Sequence, residues 1–448
     1  MTEGGAAGSS HGGIGPAGTD SVSRRPRPLF AAAAIGFAAA FLLCGYEFVR
    51  STSNTLFTEA YGADRLADVM ALVPPGVLLA LYLYGRLLSW LGPRRTLLAT
   101  TLGSGLGIAA CYLAIAEGSK AATSVLFVWR EAYIVLLIEQ YWSFLNSTFG
   151  TATAKKLNGP VCGVASLGAV LGGWSLGVLS RPPGPEEIPL FSRPEEMLLF
   201  GAALCLPAAL ASELAYRRCG EPAREADAGP HQSGDLGLGL FRTQRILIFI
   251  LLAIVATQVL STVLDLGFQK TLKESIPAPQ ARNAYSGNFY ARLNMAAACG
   301  QFILAPVLLR WLPLGAVHVA LPFLNIAACT WLFSAPSLAS AGGAYMVFKS
   351  VDYSLFRAAK EVLYIPFSFD VRYRAKEIID VFGYRFGKGG TSLLITLLQG
   401  GKVGRIVLSP IVVFSTSVYA LIAICAAGVW LAMIVPALWG YARLTKKE

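Results

Sequence analysis

Charge is what this chain has least of. Only 14% of its 448 residues are Asp, Glu, Lys or Arg, against roughly a quarter in an ordinary soluble domain. That scarcity excludes a solvated surface of normal composition. Histidine is rarer still, three in all, and two of them (His11 and His231) lie in polar segments, which argues against a histidine-based metal or catalytic site. The eight cysteines, Cys44, Cys111, Cys162, Cys205, Cys219, Cys299, Cys329 and Cys425, are scattered through apolar runs without a CxxC pair. They form neither a disulfide framework nor a zinc ligand set, and read as small packing residues. Acidic residues are outnumbered 26 to 37 by Lys and Arg, a formal charge of +11.

What is present is apolar. Hydrophobic residues make up 55% of the chain, the mean hydropathy is +0.56, and apolar runs recur from residue 29 to residue 440, each near the roughly 20 residues that cross a bilayer as a helix. This composition implies a polytopic helical membrane protein. The basic surplus does not point to nucleic acid, because it sits at segment ends: Arg24, Arg25 and Arg27; Arg94 and Arg95; Lys155 and Lys156; Arg217 and Arg218; Arg242 and Arg245; Arg372, Arg374 and Lys376; Arg443, Lys446 and Lys447. With both termini cytoplasmic these clusters fall on alternate loops, as the positive-inside rule requires.

Run length predicts twelve spans: 29–49, 66–90, 96–116, 122–146, 157–180, 196–215, 245–267, 284–309, 314–335, 339–366, 377–399 and 407–437. Residues 1–28, rich in Gly, Ser, Ala and Pro, are expected to be a disordered cytoplasmic N-terminus. The first apolar run continues into Tyr46, Glu47 and Arg50 without a convincing cleavage site, so it is taken as a retained helix. A polar linker at 216–244 divides a six-helix bundle at 29–215 from a second at 245–440, with a short cytoplasmic tail at 441–448. The expected fold is therefore an all-α membrane protein, a twelve-transmembrane-helix major-facilitator-like fold of two six-helix halves. The loop Gly85-Arg-Leu-Leu-Ser-Trp-Leu-Gly92-Pro-Arg94-Arg95 resembles the facilitator loop signature, with Ser89 where that family has Asp. In the fifth span Gly159, Gly163, Ser166, Gly168, Gly172, Gly173 and Gly177 provide for close helix contact.

The charges that do interrupt apolar segments carry the functional signal, since ionised groups at bilayer depth are costly and persist mainly beside water, a partner or a cargo. They concentrate at 352–390: Asp352, Arg357, Lys360, Glu361, Asp380, Arg385 and Lys388. At 100° per residue, Lys349, Tyr353, Phe356 and Lys360 are expected to form one stripe on the tenth span, with Asp352 and Tyr364 at its margins. Cations alternating with rings suit a planar, phosphorylated anion. On the eleventh span Asp380, Tyr384, Gly387 and Lys388 share a face, with glycines that allow close backbone approach. The run Gly387-Lys388-Gly389-Gly390-Thr391 lacks P-loop spacing and follows no strand, so nucleotide hydrolysis is rejected. Elsewhere Glu47 and Arg50 are read as ending the first span, Arg130, Glu131 and Glu139 interrupt the fourth, Asp265 lies near the end of the seventh and Arg292 within the eighth.

The ordered run Tyr353-Ser354-Leu355-Phe356, Lys360-Glu361, Tyr364-Ile365-Pro366, Ile379-Asp380-Val381, Arg385 and Gly387-Lys388-Gly389-Gly390 resembles the non-mitochondrial ATP/ADP translocases of plastids and intracellular bacteria. Weaker likeness extends to Tyr46 and Arg50, to Tyr141-Trp142-Ser143-Phe144-Leu145-Asn146 with Ala154-Lys155-Lys156, and to Asp265 through Lys273. The resemblance implies the twelve-helix facilitator fold and nucleotide transport. It departs at Ser51-Thr52-Ser53-Asn54, where a family lysine is missing, and at Asp352 and Arg357, where the family's Lys and Asp are exchanged.

The function expected is exchange or import of ATP/ADP-like nucleotides by alternating access in a bacterial inner membrane, without a cofactor, by a monomer and without enzymatic activity. Lys360 and Lys388 would hold phosphates, Tyr353, Phe356 and Tyr364 would shape the base site, and Arg385 and Arg50 would also bind the substrate. Glu361, Asp380, Asp265, Glu131, Asp352 and Arg357 would gate or couple. A proton-coupled carrier of another organic anion, and a non-transporting membrane scaffold or sensor, are the alternatives.

Overall fold

The computed structural model describes residues 28–148, 151–182, 191–219, 241–242, 244–367, 376–400, 402–403, 406–407 and 410–445. Most of the expected N-terminal segment, the centre of the linker at 220–240, Arg372, Arg374 and residues 446–448 lie outside these. The described residues fold almost wholly as helix. We label α1 Pro28–Tyr61, α2 66–91, α3 93–116, α4 Lys120–Thr148, α5 Thr151–Leu179, α6 Met197–Cys219, α7 Arg245–Ser275, α8 Pro279–Trp311, α9 Leu314–Ser334, α10 338–363, α11 376–399 and α12 Thr416–Thr445. A short antiparallel hairpin, β1 (Lys402–Val403) with β2 (Ile406–Val407), joins the last two helices.

The segments α2 and α3 run on without a loop between them and turn at Gly92, whose φ of 74° is left-handed and favours glycine there. Pro93 restarts the helix in the first-turn position that tolerates its missing N–H. Arg94 then forms an ion pair with Glu213 of α6, which also accepts Arg217 Nε at 2.8 Å. Ser89, in place of the signature's Asp, turns its hydroxyl back onto the Gly85 carbonyl at 2.9 Å. The facilitator-like loop thus fastens α3 to α6 through Arg94.

Nine helical stretches among the described residues are long and apolar enough to cross a membrane, and one of these, Ala63–Ala116, is the folded pair α2 and α3. The remaining two crossings, α10 and α11, are divided by π turns at Asp352–Phe356 and Ile379–Phe386. There are two main apolar cores, one within the first half and one built on the second half that also takes in Phe57, Leu66, Met70 and Phe127 of the first. Ile35, Leu42, Leu97, Leu126 and Phe144 belong to the first, and Ile250, Phe268, Phe348 and Trp430 to the second. Large side chains such as Leu106, Leu210, Phe323 and Leu421 stay exposed on the outer faces, which suits a lipid surround rather than water.

Two expected boundaries are corrected. The first helix does not end at residue 49: it continues to Tyr61 because Ser51, Thr52, Ser53 and Asn54 are buried against other helices rather than solvated. Glu47 and Arg50 are therefore inside it. The last helix begins at Thr416, not 407, since the hairpin occupies the preceding stretch.

The glycine-rich α5 is the seam of the molecule. A Cβ at Gly168 would stand 2.1 Å from the Ala40 carbonyl oxygen of α1, and one at Gly172 would stand 2.3 Å from that of Cys44. On its other side, Gly173 and Gly177 meet Gly287, Asn288 and Ala291 of α8. Backbone-to-backbone approach of this kind needs residues without side chains, and it binds the two halves along one line.

Candidate transport cavity

Between the halves lies a cavity of about 710 Å³. Helix α1 contributes Tyr46, Glu47 and Arg50, and α4 contributes Glu131 and Glu139. The second half contributes Lys349, Asp352, Tyr353 and Arg357 from α10, and Tyr384, Arg385 and Lys388 from α11. Among the described residues the lining thus carries five basic and four acidic side chains. An apolar annex of about 450 Å³ continues from it along Ile35, Ala39, Trp142 and Val161, sharing Tyr353, Arg357 and Gln301 with the main cavity.

The π turns explain which residues face inward. A π turn closes i to i+5 and so adds roughly one residue to a turn, which brings residues four apart onto one line. Lys349, Tyr353 and Arg357 consequently stack along the cavity wall: Lys349 Nζ lies 5.1 Å and the Arg357 guanidinium 5.0 Å from the Tyr353 ring centre. Lys349 also donates to Ser261 Oγ of α7 at 2.8 Å. A third π turn, Gly300–Leu304 of α8, abuts the one in α10, where a Cβ on Gly300 would meet Ser354 Oγ at 2.5 Å.

The same shift in phase removes three expected residues from the wall. Phe356 is buried in the second core, edge-on to Trp430 at 5.0 Å. Tyr364 is buried there too and does not line the cavity. Lys360 also leaves the stripe: its Nζ lies 2.5 Å from Asp380 Oδ1 and 5.0 Å from the Tyr384 ring centre. That pair joins α10 to α11 within one half, so Asp380 is not positioned to gate between halves. Glu361 lines the annex and pairs with Lys376 at 2.6 Å. Asp265 of α7 is partly buried and does not line the cavity.

The remaining expected residues are brought together. Arg50 is paired with Glu47 at 2.5 Å and lies 3.6 Å from the Tyr290 ring centre. Glu131 is 3.4 Å from Arg130 Nε. Arg130 in turn donates from one nitrogen to the Arg50 carbonyl at 2.6 Å, Ser53 Oγ at 2.5 Å and Asn54 Oδ1 at 2.8 Å. Asp352 is 4% exposed and its Oδ1 makes no hydrogen bond; Tyr384 Oη and Arg385 Nη1 are likewise buried without partners. Buried polar atoms left unsatisfied are costly, and here several of them belong to residues lining a single cavity. Sequence reasoning missed Gln258, Asn294 and Gln301, uncharged amides on the same wall. Their signal was faint: isolated polar residues in apolar runs, with Asn294 and Gln301 seven apart, two helical turns.

One end of the cavity is shut. Arg282 of α8 pairs with Glu59 of α1, and Lys273 of α7 lies 3.8 Å from the same carboxylate. Lys270 reaches Asp64 at 2.5 Å, Arg65 donates to the Gly400 carbonyl at 3.4 Å, and Asn294 donates to Glu47 Oε1 at 2.9 Å. All these contacts cross between halves near or beyond the midpoint of α1. The annex runs the other way, toward the N-terminal end of α1.

Residues 315–438 match the family model described as TLC ATP/ADP transporter. Two curated relatives from Rickettsia bellii (strain RML369-C) are similar: ADP,ATP carrier protein 3, 24% identical over 66% of this chain and 68% of that one, and ADP,ATP carrier protein 1, 27% identical over 33% of each. Among solved structures, the nucleoside transporter NupG superposes with a TM-score of 0.62 at 11% identity, covering 92% of this chain and 99% of that one. The inward open xylose transporter XylE from E. coli gives 0.58 at 13%, covering 90% and 95%. These structures establish the major-facilitator-like fold of the chain, in keeping with its helices long and apolar enough to cross a membrane. Taken with the family model and the Rickettsia relatives, they show a chain similar to the TLC ATP/ADP transporters over its C-terminal part and, more weakly, over about two thirds of its length.

Proposed function

We propose that this protein carries nucleotides across a bacterial inner membrane by alternating access, with both termini cytoplasmic, and that it acts as a monomer. The observation that carries this reading is the cavity between the halves. Its basic groups come mainly from α10 and α11, within the part of the chain that matches the family model. Arg357, Arg385 and Lys388 suit phosphate, Lys388 as a point charge and the arginines as forked donors. Tyr353, already stacked between two cations, suits the base. Arg50 at the closed end suits a group that must be sensed by both halves, because it contacts Glu47 of its own helix and Tyr290 of the other half.

With both termini cytoplasmic, an inward-open state is the reading supported by the contacts between halves that cluster at one end and the annex that leads to the other. Cargo drives the cycle by stabilising the occluded state more than either open one. The test is uptake of radiolabelled nucleotide into proteoliposomes. Replacing Lys388 by Gln is expected to lower uptake at least about tenfold without loss of folded protein; unchanged transport removes Lys388 from the site. A second reading, proton-coupled carriage of another organic anion, is favoured by the unpartnered carboxylate oxygen of Asp352. Uptake driven by a pH gradient, with no need for internal counter-nucleotide, distinguishes it.

A further inference from the structure

The lining of the cavity is nearly neutral, and this has a consequence for the size of the cargo's charge. Five basic side chains face four acidic ones among the described residues, a formal surplus of one positive charge. The surrounding shell enlarges it little: Lys360 is paired with Asp380, and Arg130, 3.4 Å from Glu131 of the wall itself, adds a single positive charge. During alternating access the cavity closes around its cargo and water is excluded. Charge left uncompensated there is expensive, because each ion loses its hydration. A phosphomonoester carries about −1.5 to −2 near neutral pH, and each further phosphate in a chain adds roughly one more negative charge.

Asp352 sharpens the argument. It is 4% exposed, lines the cavity on the π turn between Lys349 and Arg357, and leaves Oδ1 without a hydrogen bond. A buried carboxylate oxygen so placed accepts from a ligand hydroxyl or amino group, and it repels a second or third phosphate. Glu139, on the opposite half, adds a further negative charge to the wall.

We propose that the cavity selects nucleoside monophosphates over di- and triphosphates. This rests on the nucleotide reading given above. The cargo's single phosphate is held among Arg357, Arg385 and Lys388, while its ribose or base donors satisfy Asp352.

The experiment is equilibrium binding of AMP, ADP and ATP to the purified full chain, in chelator so that no divalent cation masks phosphate charge. The expected order is AMP tightest, with ATP weaker by about tenfold or more. ATP bound as tightly as AMP overturns the proposal while leaving nucleotide transport intact. Binding of none of the three overturns the nucleotide reading and this inference with it. Two variants separate charge from size: Asp352→Asn on one half and Glu139→Gln on the other each remove one negative charge from the wall. Each is expected to raise the affinity for ADP relative to AMP several-fold, and the second serves if the first does not fold. A ratio unmoved in a folded variant shows that charge is not the selector, and the proposal falls.

Discussion

Asp380 and Lys360 show how one ion pair can be read two ways. In the sequence Lys360 looks like a cargo residue and Asp380 like a gating or coupling group, since each charge interrupts an apolar helix. In the structure Lys360 is 5% exposed and committed to Asp380 at 2.5 Å, so their attraction is spent on joining α10 to α11. Replacing Asp380 by Asn leaves a buried ammonium with its weaker partner Glu361, 4.0 Å away. The expected cost is about 3 kcal/mol, reduced somewhat by the partial exposure of Asp380, and is read as a lowered melting temperature in detergent. The double variant Lys360→Met with Asp380→Asn is expected to recover most of that loss and to keep nucleotide binding, because removing both charges removes the orphan. Loss of binding in a stable double variant would return Lys360 to the cargo site.

At the scale of helices, apolar run length located nearly every crossing, and the loop motif located the turn at Gly92. Register was legible only where the helix is regular. A stripe drawn at 100° per residue puts Tyr353, Phe356 and Lys360 beside Lys349, whereas the π turn at 352–356 keeps Tyr353 there, brings in Arg357 and sends Phe356 against Trp430. Nothing in local propensity marks a π turn; it is fixed by the packing of Ser354 on Gly300 of a distant helix. The polar run at 51–54 was hidden for a related reason: its partners, Arg130 and Asn283, lie far away in sequence. The glycine seam, in contrast, was visible from spacing alone. Its test is Gly168→Ala, which pushes a methyl to 2.1 Å from the Ala40 carbonyl oxygen. Backbone cannot yield as a flexible side chain can, so a loss of about 1–3 kcal/mol is expected. Gly159→Ala, which meets no atom within 4 Å, should leave the melting temperature unchanged. Equal behaviour of the two variants would show that α1 and α5 do not pack as described.

For the whole molecule, what matters is which end of the cavity is closed and how firmly. The closed end depends on Arg282, 2% exposed, whose carboxylate partner Glu59 is 40% exposed, and on Lys270 with the 66%-exposed Asp64. Solvent screens these acids, so each pair contributes only about 1 kcal/mol or a little more to closure. Such modest terms suit a gate that must open in every cycle, since about 1.4 kcal/mol already shifts two populations tenfold. Cys162 reports the state from the opposite end, because it lines the annex and is partly accessible. In a variant keeping Cys162 as its only cysteine, a membrane-impermeant maleimide should label inside-out vesicles and spare intact cells. Adding Arg282→Gln removes the buried end of the gate pair and favours the outward-open state, in which the annex closes and covers Cys162. Labelling in inside-out vesicles should then slow several-fold, and nucleotide uptake should fall with it, since a carrier resting outward must be drawn back at each turn. Faster labelling after Arg282→Gln, or labelling from the outside of intact cells in the parent variant, would mean that the α1–α8 contacts do not seal the outer face.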